Sequence, residues 1–224
     1  MPLLYWGTEV PKAENGGEEK MFLVALTGGI ASGKSEVLEM LREKGANILD
    51  SDEMARQVVQ PGAQAWREIH EHFGDEILLP SQELDRDKLA EIIFHDQHQR
   101  VVLNSITHPR IFELLAGRLG ELQDEVGGDA IVVIDIPLLV EANAEGIFDY
   151  NLVVDVLPQL QVERLITERG YSAEQAWSRI RSQASREERA KSADYIVNNN
   201  GTFDDLRFEA DQAWEAITTA SHTT

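Results

Sequence analysis

The sequence predicts an α/β fold built on a mostly parallel sheet, and two observations support this prediction. Short apolar runs of the kind found in buried strands alternate along the chain with segments of helical periodicity. A glycine-rich motif also stands directly between the first apolar run and the first helical segment. Because parallel strands need crossover connections, which are usually helices, this alternation favours a parallel sheet covered by helices.

Five apolar runs are the candidate strands of this sheet. The first ends at glycines and is typical of a buried strand, and the third is the clearest buried strand of the five. The runs are Phe22–Thr27, Ala46–Asp50, Ile131–Ile136, Leu152–Val156 and Tyr195–Val197. A sheet of five strands is therefore expected.

Two helical regions lie between these runs. The first is expected from Gly33 to Lys44, with one apolar stripe formed by Val37, Leu38 and Leu41. Residues 52–125 are also helical in pattern, with a break at Pro61-Gly62. Because this second region is too long for a simple crossover, we interpret it as a helical insertion that holds a second substrate.

The composition excludes several classes of protein. The chain has 224 residues and no cysteine, so a disulfide scaffold and a cysteine-ligated metal site are both impossible. It carries 20 Lys and Arg against 40 Asp and Glu, and this net charge of −20 argues against a nucleic-acid partner, which requires clustered basic side chains. No run of about 18 apolar residues occurs, so no membrane span is expected.

Residues 1–20 have the composition of a solvated tail. We expect them to be an N-terminal extension, or the result of a misassigned start, before a folded domain that begins at Met21. They lack the long apolar stretch of an export signal, which favours a cytoplasmic protein.

The most specific signal in the sequence is the pattern G-x-x-x-x-G-K-[ST] in a strand-to-helix context. It is matched by Gly28, Gly29, Ile30, Ala31, Ser32, Gly33, Lys34 and Ser35. Glycines let backbone N–H groups point at phosphate oxygens, and the following helix adds the positive end of its dipole. We expect Lys34 to reach the β- and γ-phosphates of a bound nucleotide and the Ser35 hydroxyl to bind Mg²⁺. The alternative is a glycine-rich helix cap with Lys34 in solvent.

Three aspartates stand at the ends of predicted strands. Because ligands bind at the carboxyl edge of a parallel sheet, Asp50 or Asp52 is a candidate to accept a proton from a substrate hydroxyl. The alternative for each is a helix cap. Asp135 resembles a Walker B aspartate that helps to hold Mg²⁺, and the alternative is a hydrogen bond within the fold.

Residues 158–191 are locally basic in this acidic chain, with seven Lys or Arg against five Glu. Because the planar guanidinium binds phosphate oxygens through two hydrogen bonds, we interpret this segment as a lid with one or two arginines that reach the triphosphate. For any single arginine, pairing with a neighbouring glutamate on an exposed helix face is the favoured alternative.

From about Phe22 to Leu206, the sequence resembles the dephospho-coenzyme A kinase family of P-loop kinases. The resemblance depends on the order and spacing of short motifs, which are LTGGIASGKS at 26–35, DSD at 50–52 before Ala55-Arg56, Pro61-Gly62, Phe73-Gly74, Leu84-Asp85-Arg86, His108-Pro109, IPLLVE at 136–141, Gln161 with Arg164, Gln183, Ala193-Asp194 and Asn199-Asn200-Gly201. It implies a three-layer P-loop kinase fold with a helical substrate domain and a helical lid. It also implies transfer of phosphate from ATP to the ribose 3′-hydroxyl of dephospho-CoA, the last step of coenzyme A synthesis.

The resemblance further implies roles for individual residues. Asp52 matches the proposed catalytic aspartate of the family, which favours that role over capping and leaves Asp50 structural. The lid arginines are matched by Arg164, expected to act in catalysis, and Arg169. The acceptor side is matched by Arg86, His108 and Glu141, and the approach to adenine by Asn200 and Gly201. For His108, the alternative is a residue at a helix start before Pro109.

These inferences give a domain plan and a set of partners. We expect an extension at 1–20, a nucleotide-binding core at 21–51, 126–157 and 192–220, a substrate domain at 52–125 and a lid at 158–191. The expected partners are ATP and dephospho-CoA, with Mg²⁺ as cofactor, and the expected assembly is a monomer or weak homo-oligomer. Two alternatives stay open. One is a P-loop kinase for a nucleoside monophosphate or a sugar, and the other is a nucleotide-dependent switch, although the chain lacks both N-K-x-D and L-S-G-G-Q.

Overall fold

The computed structural model describes residues 21–223, and the expected extension at residues 1–20 lies outside this described part. The described chain contains five strands and nine α-helices. The strands are β1 Phe22–Gly28, β2 Asn47–Asp50, β3 Ile131–Asp135, β4 Tyr150–Asp155 and β5 Tyr195–Asn198. The helices are α1 Lys34–Glu43, α2 Ser51–Gln57, α3 Gln64–Phe73, α4 Arg86–His95, α5 Gln97–Val126, α6 Pro158–Arg169, α7 Ala173–Arg181, α8 Arg186–Ser192 and α9 Phe203–Ser221.

The five strands form one sheet in the order β2-β3-β1-β4-β5. Strand β1 is parallel to both β3 and β4, and β4 is parallel to β5. Leu26 is in register with Asp135 of β3 on one side and with Leu152 of β4 on the other, so β1 is hydrogen-bonded to a neighbouring strand along both edges. The predicted α/β fold with a five-stranded, mostly parallel sheet is therefore confirmed, and every predicted strand is found within one or two residues of its expected bounds.

Residues 21–49 and 127–223 form one compact unit around this sheet. Side chains that alternate along β1, among them Val24 and Leu26, contribute to a core that also contains residues of α1 and α9. Val37 and Leu41 of the predicted stripe are fully buried there, and Leu38 is half-buried against the same core. The apolar stripe of the first helix is thus confirmed.

Three helices of this unit begin with the same local device. Ser172, Ser185 and Thr202 each accept a hydrogen bond from the backbone N–H three residues later, and each of those later residues bonds back to the backbone N–H of the cap. This reciprocal capping box satisfies two backbone N–H groups that a helix start would otherwise leave open. The starts of α7, α8 and α9 are therefore fixed by sequence-local bonds.

Residues 50–126 form a second compact unit, which is helical. Ile69 of α3, Leu89 of α4 and Ile106 of α5 share its apolar core. The predicted break at Pro61-Gly62 lies between α2 and α3. Within residues 21–223, no helix is both long and apolar enough to cross a membrane.

Helix α5 corrects one expectation about His108. Pro109 lies inside this 30-residue helix, so the alternative that placed His108 at a helix start is wrong. Proline removes one backbone hydrogen bond from a helix, but buried side chains on both sides, Ile106 and Leu115, hold α5 in place. His108 is half-buried in the middle of the helix.

Leu26→Ala should lower the free energy of unfolding by about 2–5 kcal/mol, because Leu26 is fully buried in the central strand and its truncation leaves a cavity. Denaturation in urea measures this loss. Phe208→Ala is the matched control, since that ring is 62% exposed and should contribute little. Equal stability losses in the two variants would contradict the assignment of β1 to the core.

Candidate nucleotide site

Residues 29–33 connect the end of β1 to the start of α1 in a tight loop. The Ser32 N–H donates to the Gly29 carbonyl at 3.0 Å, which closes a turn within the loop. Gly33 is the N-cap of α1 and has a φ of 88°, in the left-handed region that favours glycine. A Cβ at Gly33 would overlap the Asn199 Nδ2 atom, so space as well as conformation favours glycine here.

Three consecutive carbonyls of the loop accept hydrogen bonds from side chains that come later in the chain. The bonds are Gln161 Nε2 to Ile30 O at 2.7 Å, Arg164 Nη1 to Ala31 O at 3.2 Å and Asn199 Nδ2 to Ser32 O at 2.7 Å. A trans peptide holds its C=O and N–H on opposite sides, and residues 21–223 contain no cis peptide. The N–H groups of Ala31, Ser32 and Gly33 therefore point away from these three donors, as a phosphate-binding loop requires, and that of Ser32 donates to the Gly29 carbonyl within the loop.

The Ile30 N–H is bound differently from its neighbours. It donates to the Gln183 Oε1 atom at 2.8 Å, so two glutamine side chains hold the N–H and C=O of one residue. Gln161 is only 2% exposed, and a Cβ at Gly29 would lie 2.6 Å from its Nε2 atom. The absence of a side chain at Gly29 therefore leaves room for the buried Gln161 amide beside the loop.

Lys34 and Ser35 follow the loop in the first turn of α1. The Lys34 ammonium forms an ion pair with the Asp135 carboxylate at the end of β3, and Ser35 is exposed. The alternative that left Lys34 in solvent is therefore wrong. Within residues 21–223, no group of three or more His, Asp and Glu is arranged to hold a metal ion. Mg²⁺ that binds with a nucleotide needs only one or two protein ligands, because phosphate oxygens and water supply the rest.

Two arginines of residues 158–191, Arg164 and Arg186, form hydrogen bonds with groups other than neighbouring glutamates. Besides Ala31, Arg164 contacts the Asn199 carbonyl at 3.1 Å. Arg186 binds both oxygens of Asp155 at 2.7 and 2.6 Å, and these hydrogen bonds raise the pKa of Arg186. The favoured alternative is wrong for both residues. Arg164 has its partners on the loop and just after β5, and Arg186 has its partner at the end of β4.

Arg189 is a further arginine beside the loop. Its side chain is buried, and this burial lowers its pKa, against the opposing influence of Glu141 and Asp155. It donates to the Ala184 carbonyl, and a Cβ at Gly29 would lie 2.9 Å from its Nη2 atom. Arg169, in contrast, is exposed in the last turn of α6, just before Gly170 ends the helix with a φ of 68°.

The other expected residues of this unit make structural contacts. Glu141 accepts a hydrogen bond from the Ala184 N–H at 2.7 Å, and Asn200 Oδ1 accepts one from the Leu157 N–H at 2.7 Å. A Cβ at Gly201 would lie 2.5 Å from the Asp205 Oδ2 atom, which belongs to the capping box of α9. Asn200 and Gly201 therefore shape the junction between β5 and α9.

The remaining expected residues belong to the unit formed by residues 50–126. Asp50 is the N-cap of α2 and accepts from the Asp52 and Glu53 N–H groups at 2.8 and 3.1 Å, which confirms its structural role. Asp52 is not the cap, and it is exposed in the first turn of α2. Arg86 begins α4 and lines a surface cavity of about 550 Å³ together with Val59, Leu79 and Asp85.

Sequence reasoning assigned no site role to Gln161, Gln183, Arg189 or Asn199. Gln161 did carry a usable signal, since it lies four residues before the fully buried Leu165 and thus on the buried face of α6. An uncharged polar residue on such a face needs a buried partner. The contacts of Gln183 and Asn199 join residues more than 150 positions apart, which no local pattern predicts.

Comparisons with known proteins agree on one family. The family model described as dephospho-CoA kinase matches residues 22–205. The chain is 45% identical over 202 residues to the dephospho-CoA kinase of Thermobifida fusca, covering 90% of this chain and 99% of that protein. It is 46% identical over 180 residues to the dephospho-CoA kinase of Bacillus cereus, covering 80% and 89%.

Two solved structures are similar in fold. TT1252 from Thermus thermophilus matches with a TM-score of 0.76 and 30% identity, covering 88% of this chain and 97% of that one. Dephospho-CoA kinase from Campylobacter jejuni matches with a TM-score of 0.64 and 27% identity, with the same coverage of 88% and 97%.

Gly33→Ala should abolish detectable ATP binding, because the added methyl group meets Asn199 and the backbone is left-handed there. Calorimetric titration with ATP measures this effect. Gly117→Ala in α5 is the control, since a Cβ there meets nothing within 4 Å. ATP binding by Gly33→Ala as tight as that of the unmodified chain would contradict the described loop geometry.

Proposed function

Because this chain belongs to the dephospho-CoA kinase family, we propose that its loop at residues 28–35 holds the triphosphate of ATP while Asp52 accepts the proton of the acceptor hydroxyl. The chain catalyses ATP-dependent phosphorylation of dephospho-CoA, the last step of coenzyme A biosynthesis. The observation that carries the proposal is the loop itself, in which later side chains bind three consecutive carbonyls and so direct the N–H groups that follow them away from those side chains.

The loop can bind phosphate without a large local excess of side-chain charge. Backbone N–H groups at a helix start attract anions through their own partial charges and through the helix dipole. The buried Ser32 hydroxyl has no hydrogen-bond partner within residues 21–223, and a phosphate oxygen would satisfy it. We assign the β-phosphate to this nest of N–H groups.

Lys34 supplies a positive side-chain charge directly after the loop. Its ammonium contacts the Asp135 carboxylate, so its position is defined before nucleotide binds. We propose that the β- and γ-phosphates of ATP then share the ammonium with Asp135 and that Arg164 adds positive charge beside the loop. A lysine suits this role because its three donors rotate freely about a single charge.

The residues of this chain fit Mg²⁺ as nucleotide-binding proteins hold it. The Ser35 hydroxyl and the Asp135 carboxylate are oxygen ligands of the kind that Mg²⁺ prefers. Ser35 is the next residue after Lys34 in the sequence, and Asp135 forms an ion pair with Lys34. When it is bound with ATP, Mg²⁺ supplies electrostatic neutralisation of the phosphate oxygens. We assign its protein ligands to Ser35 and Asp135.

Asp52 completes the proposed reaction. Its carboxylate takes the proton of the ribose 3′-hydroxyl as that oxygen forms a bond to the γ-phosphorus, while the bond from phosphorus to the β,γ-bridging oxygen breaks and ADP leaves. Asp52 lies two residues beyond the end of β2, and ligands of parallel sheets bind at carboxyl ends of strands. Because Asp50 occupies the capping role, the Asp52 carboxylate is available for chemistry.

Further roles follow from the same assignment. We propose residues 52–125 as the acceptor domain, with Arg86 and His108 among its binding residues, and residues 158–191 as the lid that excludes water from the phosphates. Glu141 is assigned to the acceptor side and Arg169 to the closing lid. Asn200 and Gly201 are assigned to the adenine end of the site. Phosphorylation of a nucleoside monophosphate or a sugar is not favoured, because the named relatives are dephospho-CoA kinases.

The purified chain should convert dephospho-CoA and ATP to coenzyme A and ADP. A coupled assay measures ADP release, and mass spectrometry of the product locates the new phosphate on the ribose 3′-oxygen. Adenosine monophosphate and a hexose serve as control acceptors, and both should give only background. Turnover of either control at the rate of dephospho-CoA would contradict the assigned acceptor.

Asp52→Asn should lower kcat by roughly 10²–10⁴, the usual effect of a lost acid–base group. Asp50→Asn is the matched control, because asparagine caps helices as well as aspartate does and should preserve turnover. Steady-state kinetics at saturating substrates measure both variants. Near-normal kcat in Asp52→Asn, or an equal loss in Asp50→Asn, would contradict the catalytic role of Asp52.

A further inference from the structure

We propose that Gln161 and Gln183 form an amide clamp on Ile30 that sets the affinity of the loop for ATP without touching the nucleotide. The clamp consists of two bonds, Gln161 Nε2 to the Ile30 carbonyl at 2.7 Å and the Ile30 N–H to Gln183 Oε1 at 2.8 Å. The inference deepens the proposed function and rests on residues 28–35 as the ATP site. Both glutamines are assigned as positioning residues.

The two bonds fix two consecutive peptide planes in opposite senses. The Ile30 carbonyl belongs to the peptide that ends in the Ala31 N–H, so the bond from Gln161 turns that N–H toward the other side of the loop. The Ile30 N–H belongs to the peptide that begins with the Gly29 carbonyl, so the bond to Gln183 turns this carbonyl the other way. The Ser32 N–H donates a hydrogen bond to the Gly29 carbonyl oxygen, so this negatively polarised atom is already bonded within the loop.

This arrangement favours phosphate binding through preorganisation. A loop whose N–H groups must first be aligned loses affinity, because ordering the backbone costs conformational entropy when the ligand binds. The non-glycine residue Ala31 has a φ of 57°, a conformation that persists when surrounding contacts enforce it. The clamp holds Ile30, the residue immediately before Ala31.

The burial of Gln161 indicates a dedicated role. Burial of a side-chain amide costs free energy unless its hydrogen bonds are made. Gln161 is only 2% exposed, and its Nε2 atom donates to the Ile30 carbonyl of the loop. Helix packing alone would be served by an apolar residue on this face of α6, as Leu165 shows one turn later.

Gln183 is held in place by its own surroundings. It lies in the connection between α7 and α8, next to Ala184. The Ala184 N–H donates to Glu141 at 2.7 Å, and its carbonyl accepts from Arg189. This double anchoring fixes the acceptor that meets Ile30, so the lid segment contributes to the shape of the loop through a defined contact.

Gln161→Met and Gln183→Met test the clamp, because methionine keeps the length and flexibility of glutamine but removes its hydrogen bonds. Each should weaken ATP binding by calorimetry about tenfold, since a broken bond also leaves a backbone group unsatisfied. KM for dephospho-CoA should stay within about twofold, as expected of a change confined to the nucleotide site. The Ile30 amide of the ligand-free Gln183→Met protein should exchange hydrogen faster than that of the unmodified chain.

Gln175→Met is the matched control. Gln175 also accepts a backbone N–H through Oε1, from Ser172 at 2.9 Å, and lies in the same segment, but its bond serves the capping box of α7. ATP affinity in this control should stay within about twofold of the unmodified chain, and thermal denaturation of all variants separates stability from affinity.

Unchanged ATP affinity in both clamp variants, or an equal loss in Gln175→Met, would overturn the clamp while leaving the proposed function intact. An unmodified chain that neither binds ATP nor phosphorylates dephospho-CoA would overturn the proposed function and the clamp together. Loss of ATP affinity in either clamp variant, with the control unaffected and melting temperatures equal, supports the clamp.

Discussion

The outward binding of three loop carbonyls is the constraint on which the nucleotide site depends. A glycine-rich segment has many accessible conformations, and a phosphate nest needs one in which neighbouring N–H groups converge. Here the Ile30, Ala31 and Ser32 carbonyls are each engaged by a side chain from later in the chain. Because a peptide unit is planar, a hydrogen bond that fixes the direction of a carbonyl also fixes the direction of the N–H group that follows it.

This constraint links the loop to the carboxyl ends of β4 and β5, on one side of β1. Asp155, the last residue of β4, binds the guanidinium of Arg186 with its carboxylate and the Asn199 N–H with its carbonyl at 2.8 Å. Asn199 in turn reaches the Ser32 carbonyl and accepts from Arg164. The carboxyl end of β4 therefore contacts both the lid segment and the junction after β5, and these two regions together supply the donors that bind the loop.

The sequence predicted the elements of the fold better than the connections between them. Apolar periodicity gave the five strands and the stripe on α1, because strand burial and helix faces leave local patterns. The phosphate loop was predictable for the same reason, since its glycines and Lys34 stand in one short motif. The roles of Gln183 and Asn199 were not, because they arise from contacts across the folded chain, and the continuation of α5 through Pro109 depends on tertiary packing that overrides local propensity.

The net charge of −20 does not prevent this chain from binding an anionic substrate. At ordinary ionic strength, exposed charges beyond about 8–10 Å are largely screened, so the acidic surface contributes little at the loop. Two cations near the site are already matched, Lys34 by Asp135 and Arg186 by Asp155. The attraction for phosphate therefore depends mainly on aligned backbone dipoles and on Arg164, whose partners on the loop and on Asn199 are uncharged groups, and Lys34 adds the part of its charge that it shares with Asp135. A chain that binds anions chiefly through fixed dipoles can carry a strongly acidic surface, because its affinity depends on the geometry of the loop rather than on its total charge.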